Sequence, residues 1–313
     1  MQPKLILVTG AAGFVGRHLC RHLAEGGYRV RGTVRAIPPA QQPGIEYVAS
    51  GDLSGDTDWS AMLKGVDAVV HAAARVHAPA ERGAAIMPAY RRINVEATAR
   101  LAEQCAELGV STFVFLSSIK ASEAEQNPGS QNRRPYDLTK LEAEQVLSRI
   151  ACYTNLRVAV LRPPLVYGPD AAADFALLAG AVAEGKPRPI GWSDERRSFI
   201  YVGNLCDAVA TCLEHPDAAD GTFEVSDGPP LSTPDFVCAI GRALGRPARL
   251  LPCPPAVLRV LGQALGRGAA AESLTGDLVA DDKAIREQLG WKPPFTLEQG
   301  LRASLASYGR GTA

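Results

Sequence analysis

Net charge is what this chain most plainly lacks. Its 33 Lys and Arg balance 33 Asp and Glu, so no global field draws it to nucleic acid or to an anionic membrane. Any recognition of an anion must therefore be local. Its seven cysteines include no C-x-x-C pair and are odd in number, which suits buried reduced thiols better than a disulfide framework. No apolar run approaches the length of a membrane span. The opening apolar stretch breaks at Gly10 and is too short for a secretory signal. These absences lead to the expectation of a cytoplasmic protein with no membrane insertion and no nucleic-acid partner. His18 and His22 are spaced i, i+4 but have no third ligand nearby, so no metal is expected there.

What is present is a chain of 313 residues, 46% hydrophobic and 21% charged. That is long enough for a full core, as one large domain or a domain plus a lobe. Short β-branched runs at 4–9, 28–34, 45–50, 66–71, 112–117 and 156–161 alternate with helical patterns at 14–25, 57–64, 88–108 and 136–150. In the third helix Leu101, Cys105 and Leu108 share a face. This alternation predicts an α/β fold: a Rossmann-type, doubly wound parallel sheet with a smaller C-terminal substrate-binding lobe. The expected dinucleotide-binding domain spans 1–165, with the chain returning to it around 199–228, and the lobe takes up 166–313. The polar segment 122–135 reads as an exposed loop, and the Gly/Ala-rich stretch 266–271 as a surface loop.

Two motifs carry chemistry. In G-A-A-G-F-V-G, Gly10, Gly13 and Gly16 follow the first strand and open a helix. A turn of this kind lets the backbone approach a pyrophosphate, which rests on the helix N-terminus. In Y-D-L-T-K, Tyr136 and Lys140 lie four residues apart on one helix face. A free tyrosine has a pKa of about 10, and an adjacent ammonium lowers it toward the range of a useful general acid–base. Lys140 is also placed to hold the hydroxyls of a nicotinamide ribose. Ser118, at the carboxyl end of the 112–117 strand, offers a hydroxyl to the substrate's carbonyl or alcohol oxygen.

The end of the second strand bears on the choice of cofactor. No acid occurs between Glu25 and Glu46, and the strand ends T-V-R with Arg35 where the adenosine ribose would lie. A guanidinium fork matches a 2′-phosphate, so NADP(H) is favoured and NAD(H) is the alternative. Asp52 is either an acceptor for the adenine amine or a loop aspartate that caps the next turn.

With these motifs the chain resembles the extended short-chain dehydrogenase/reductases of the NAD-dependent epimerase/dehydratase family over nearly its whole length. H-A-A-A at 71–74, I-N-V-E-A-T at 93–98, L-R-P-P-L-V-Y-G-P at 161–169, R-S-F-I-Y-V-G-N-L at 197–205 and L-G-W at 289–291 carry the resemblance. F-L-S-S-I-K at 115–120 is similar to a narrower bacterial group that makes surface-polysaccharide sugars from UDP-linked 4-keto-6-deoxy-N-acetylhexosamines. The resemblance implies a Ser118–Tyr136–Lys140 triad, Asn94 steadying the active-site helix, and Lys120 and Arg197 contacting a nucleotide-sugar. It also implies a homodimer through the helices at 88–108 and 136–150. Three features depart from the pattern: Y-D-L-T-K replaces the commoner Y-G-x-S-K, Ala121-Ser122-Glu123 replaces V-N-G, and Asp174 replaces an asparagine.

The leading expectation is an NADP(H)-dependent oxidoreductase that reduces the C4 keto group of a UDP-linked 4-keto-6-deoxy sugar. The alternatives are a nucleotide-sugar 4-epimerase with bound NAD and a ketoreductase of an apolar or steroid-like substrate. A cofactor-sensing binding protein ranks last, because Tyr136 and Lys140 are both present.

Overall fold

The structure is a computed structural model. It describes residues 3–39, 41–76, 85–129, 134–171, 174–187, 195–251, 253, 257, 277–306 and 308. The 266–271 stretch and the side chain of Asp174 lie outside the described residues.

The chain divides into two compact units. The first comprises Met1–Pro163, Cys206–Glu224 and Asp282–Lys292. Its centre is a seven-stranded sheet in the order β3 (Ile45–Ala49), β2 (Arg29–Val34), β1 (Leu5–Thr9), β4 (Ala68–His71), β5 (Thr112–Leu116), β6 (Arg157–Arg162) and β10 (Thr222–Glu224). Every pairing in it is parallel, and helices cover both faces. Strands β1, β4 and β5 are buried along their whole length, which explains why they read as continuous apolar runs rather than alternating ones. The order reverses direction at β1, between β2 and β4, and a ligand crevice opens beyond the strand ends at such a point.

The helices of this unit are α1 (Phe14–Glu25), α2 (Ser60–Leu63), α3 (Ile86–Arg91), α4 (Ala97–Glu107), α5 (Ile119–Gln126) and α6 (Pro135–Tyr153). One core cluster joins Phe113 and Phe115 of β5 to Leu101 and Cys105 of α4 and to Ala143 and Leu147 of α6. Each fully buried large side chain contributes about 1.5–3 kcal/mol. Leu108 does not join this face: it lies at the end of α4, where the chain leaves the helix, and is 52% exposed. The expected 88–108 helix is also interrupted, because Arg92–Glu96 is a π-helical turn between α3 and α4.

The segment 122–135 is not loop throughout. Residues 119–126 form α5, and Ser122 on it is buried. Ser118 caps this helix, its Oγ accepting from the Lys120 amide at 3.2 Å. Partners reach Ser122 from distant strands: it donates to Glu224 of β10 and accepts from Arg162 of β6 at 3.0 Å. Exposure holds for Glu123 and for residues 125–129, whereas Ser122 is the polar side chain that the unit encloses.

The second unit comprises Pro164–Leu205, Val225–Asp281 and Pro293–Ala313. It holds the parallel pair β7 (Leu165–Tyr167) with β9 (Phe199–Tyr201) and the antiparallel pair β8 (Arg196–Arg197) with β11 (Leu231–Ser232). Phe199 stacks on Phe236 at 3.8 Å between centroids. The Asp227 carboxylate accepts from the Tyr167 hydroxyl at 2.6 Å and from Asn204 Nδ2 at 2.7 Å. Among the described residues no helix is long and apolar enough to cross a membrane. Cys20, Cys105, Cys206, Cys212 and Cys253 are buried, whereas Cys152 is exposed.

Candidate active site

The turn after β1 is built on close backbone approach. Gly10 sits at φ 68°, in the left-handed region. Its carbonyl accepts from the Gly13 amide at 2.9 Å. A Cβ on Gly16 would stand 2.1 Å from the Gly10 carbonyl oxygen, and one on Gly10 would stand 3.0 Å from the Ala73 backbone. The N-terminus of α1 carries no side-chain cap and no acid in its first turn, so its amides and dipole face an anion well. Above this turn lies a cleft of about 620 Å³ lined by Gly10, Gly13, Arg35, Asp52, Arg75 and Ile93, among others. A glycine-floored helix N-terminus opening onto a long cleft fits a dinucleotide.

At the far end of the cleft, Arg35 and Asp52 meet. Arg35 Nε lies 2.7 Å from Asp52 Oδ1. Expected separately at the ribose and at the adenine, the two form one ion pair.

The strand-end serines face the start of α6. The Ser117 amide donates to the Leu161 carbonyl at 2.8 Å and the Ile119 amide to Pro163 at 3.0 Å, so Ser118 is pinned by the continuing β5–β6 ladder. Its hydroxyl lies beside the Tyr136 phenol. Pro135 opens α6, with Tyr136 next and Lys140 one turn on. The Lys140 ammonium is buried, donates to the Leu116 carbonyl at 2.6 Å and lies 4.4 Å from the Phe115 ring centroid and 6.0 Å from that of Tyr136. Ser118, Tyr136 and Lys140 are thus brought together. Burial pushes the Tyr136 phenol up to about 12, and the neighbouring Ser118 hydroxyl works against that rise. Burial pulls Lys140 down to about 7, opposed by the charge of Glu144.

Lys120 stands in the first turn of α5, its ammonium 2.5 Å from Glu123. Asp137, the departure next to Tyr136, is raised by burial, and the positive charges of Lys120 and Arg134 pull it back. Arg197 belongs to the second unit, buried on β8.

Asn94 lies in the π-helical turn and is buried. Its Oδ1 accepts from the Arg75 amide at 2.7 Å, and its Nδ2 donates to the Arg75 carbonyl at 3.1 Å and to Thr139 Oγ1 at 3.0 Å. One side chain therefore ties the cleft wall to the helix bearing Tyr136 and Lys140. His71, at the end of β4, is held between Thr9 at 2.7 Å and Thr98 at 2.9 Å. Burial, aided by the charge of Lys140, lowers it to about 3, so it stays neutral.

Sequence reasoning missed the network behind these groups. Arg162 donates to Glu144 through Nε at 3.0 Å and Nη2 at 2.5 Å, and to Glu125 at 2.9 Å. Ser117 donates to the same Glu144 carboxylate. The available signal was Glu144 one turn beyond Lys140, together with Arg162 closing the V-A-V-L run of β6.

Comparison with known proteins gives the following matches. The model of the NAD dependent epimerase/dehydratase family matches residues 6–226. A UDP-glucose 4-epimerase of Vibrio cholerae is 36% identical over 316 residues, covering 98% of this chain and 96% of that protein. A 2-alkyl-3-oxoalkanoate reductase of Stenotrophomonas maltophilia is 28% identical over 342 residues, covering 96% and 98%. Among solved structures, UDP-N-acetylglucosamine 4-epimerase from Bacillus cereus shares the fold with a TM-score of 0.78 at 21% identity, covering 98% of this chain and 100% of that one. MoeE5 in complex with UDP-glucose and NAD has a TM-score of 0.74 at 26% identity, covering 98% and 99%.

Proposed function

Because the chain belongs to the NAD-dependent epimerase/dehydratase family, we propose that it is a nicotinamide-dependent enzyme of the extended short-chain dehydrogenase/reductase type that works at C4 of a UDP-linked sugar, as a 4-epimerase. The observation that carries this reading is the convergence of Ser118, Tyr136 and Lys140 at the end of β5. The 36% identity to a UDP-glucose 4-epimerase supports epimerisation in particular.

Gly10, Gly13 and the N-terminus of α1 would hold the dinucleotide pyrophosphate, with Arg35 and Asp52 at its adenosine end. When bound, the nicotinamide exchanges hydride with C4 and, in its oxidised form, adds a positive charge beside the phenol. Tyr136 Oη takes the proton of the C4 hydroxyl and later returns one to the C4 oxygen. Ser118 Oγ hydrogen-bonds that oxygen and the phenol, so the proton moves along a short, fixed path. With its pKa near 12 in the protein alone, Tyr136 rests protonated and becomes a base only as positive charge gathers around it. Lys140 contributes part of that charge while its ammonium is protonated. Lys120 and Arg197 are proposed to face the nucleotide-sugar. Pairing of two chains across α4 and α6 is part of the same reading, supported by the exposed Leu108 and Tyr153 at the ends of those helices.

A second reading is reduction of a UDP-linked 4-keto-6-deoxy sugar by NADPH. Arg35 at the end of β2, four-fifths exposed, favours it because a guanidinium suits a 2′-phosphate. The two readings separate in one assay series. Interconversion of UDP-glucose and UDP-galactose at constant nicotinamide absorbance, lost in Tyr136→Phe, is the expected result. Consumption of NADPH with UDP-4-keto-6-deoxy-GlcNAc would establish the reductase instead. Neither signal would remove both.

A further inference from the structure

His71 is fully buried at the end of β4, and both of its ring nitrogens are engaged. The proton positions around it follow from counting. Thr9 Oγ1 accepts from the Ala72 and Ala73 amides, each at 3.1 Å. With both lone pairs taken, the hydroxyl has only its proton left for His71 Nδ1, 2.7 Å away. On the other side Thr98 Oγ1 donates to the Asn94 carbonyl at 2.8 Å, so it accepts from His71 Nε2 at 2.9 Å. The two ends independently select the same neutral tautomer, with Nδ1 bare and Nε2 protonated. The line continues beyond the ring. Asn94 Nδ2 donates to Thr139 Oγ1 at 3.0 Å, and Thr139 donates to the Pro135 carbonyl at 2.7 Å in the first turn of α6. At the opposite end, the Ala73 backbone is what a Cβ on Gly10 would strike. Thr9, His71, Thr98, Asn94 and Thr139 are each 1% exposed or less.

We propose that His71 is a positioning residue that couples the floor of the dinucleotide cleft to the helix bearing Tyr136 and Lys140. Its Nδ1 fixes the Thr9 hydroxyl, and through it the Ala72–Ala73 backbone at the cleft wall. Its Nε2 proton fixes Thr98, and through it the π-helical turn from which Asn94 grips α6. Packing alone does not explain a histidine at this position. Ala68, Val69 and Val70 precede it on β4, and an apolar side chain would be buried there with no polar group to satisfy. The ring also stacks on Phe115 at 5.8 Å, and the Lys140 ammonium lies 4.4 Å from that same phenyl ring. A neutral imidazole supplies one acceptor and one donor there without setting a second cation near Lys140. The inference rests on the nicotinamide-dinucleotide reading of the cleft and on no choice of sugar.

Two substitutions divide the roles, because an asparagine amide oxygen stands in for Nδ1 and a glutamine amide nitrogen for Nε2. The test follows NAD+ binding to the full chain by calorimetry, together with hydrogen exchange of Arg92–Glu96 and of the first turn of α6. Turnover in the sugar assays above is the third readout. His71→Asn is expected to keep NAD+ affinity within threefold, while exchange in both segments rises at least tenfold and turnover falls by a similar factor. His71→Gln is expected to weaken NAD+ at least fivefold, while exchange in those segments stays within threefold. Nitrogen NMR of the wild type with labelled histidine should show the His71 ring neutral, its proton on Nε2. A proton on Nδ1 would overturn the proposal, and this measurement stands whether or not a variant folds. Equal losses at both ends in both variants, the mark of a side chain that only fills space, would overturn it as well. An absence of NAD+ binding in the wild type would remove the cofactor reading and the cleft half of this proposal with it. Unchanged exchange in His71→Asn with NAD+ binding intact removes only the role given to His71.

Discussion

Two arginine–carboxylate pairs of similar geometry sit in opposite surroundings within the first unit. Arg35 and Asp52 meet at 2.7 Å on the cleft rim, four-fifths exposed, whereas Arg162 and Glu144 meet at 2.5 Å with 11% and 7% of their side chains exposed. Water screens the rim pair, so its contribution to stability is small, about 0–1 kcal/mol. The inner pair has given up its hydration and depends on its hydrogen bonds to Ser117, Ser122 and Glu125. The difference separates two tasks. The rim pair can open without disturbing the fold, because water takes the place of either partner. The inner pair locks β5, β6, α5 and α6 together behind Ser118, Tyr136 and Lys140, where a shift would spoil the alignment.

The largest effect should follow from breaking the inner pair on one side. Arg162→Met leaves Glu144 charged and buried, and is expected to cost about 3–5 kcal/mol in urea denaturation. Adding Glu144→Gln should restore part of that loss. A single-variant loss below ~1 kcal/mol would show that the network does not brace the site.

Tyr136→Phe should lower turnover by about 10²–10⁴-fold with an unchanged melting temperature, because only a hydroxyl leaves. A drop of less than tenfold would remove Tyr136 as the proton-transfer group.

Lys140 links the site to pH. Burial lowers its pKa from 10.5 to about 7 in the folded chain. Between those values the unfolded chain holds the proton and the native one does not, so stability rises with pH, by up to ~1.4 kcal/mol per unit. Below pH 7 both states are protonated and the penalty stays constant. Subtracting Lys140→Met melts from wild-type melts across roughly pH 6 to 10, which brackets most of the interval between the two values, should expose this slope. A flat difference would show that the ammonium keeps its ordinary pKa in the fold.

The smallest stability effect belongs to the rim. Asp52→Asn should change unfolding free energy by less than about 1 kcal/mol. A larger loss would mean that Asp52 braces the turn after β3.

Much of the site was legible in the chain. Gly10, Gly13 and Gly16 mark a turn that only close backbone approach explains, and the four-residue spacing of Tyr136 and Lys140 places both on one helix face. What sequence reasoning misjudged has a common cause. Ser122 sits in a polar run that resembles surface, but Glu224 and Arg162 reach it from distant strands and make its burial affordable. Leu108 has the helical period of a core residue, but α4 ends before it.

The sequence by itself determined the strands and most helices of the first unit and their order, because strand and helix periodicity and turn glycines are local properties of neighbouring residues. It likewise determined the Rossmann-type sheet, since fully apolar strands alternating with helices can be buried in few other ways. Only the tertiary structure decided which polar groups meet. Asp52 with Arg35, Glu144 with Arg162 and Asn94 with Thr139 are pairs brought together by strand order and by a π-helical turn. Their energies depend on exposure, which no local pattern encodes.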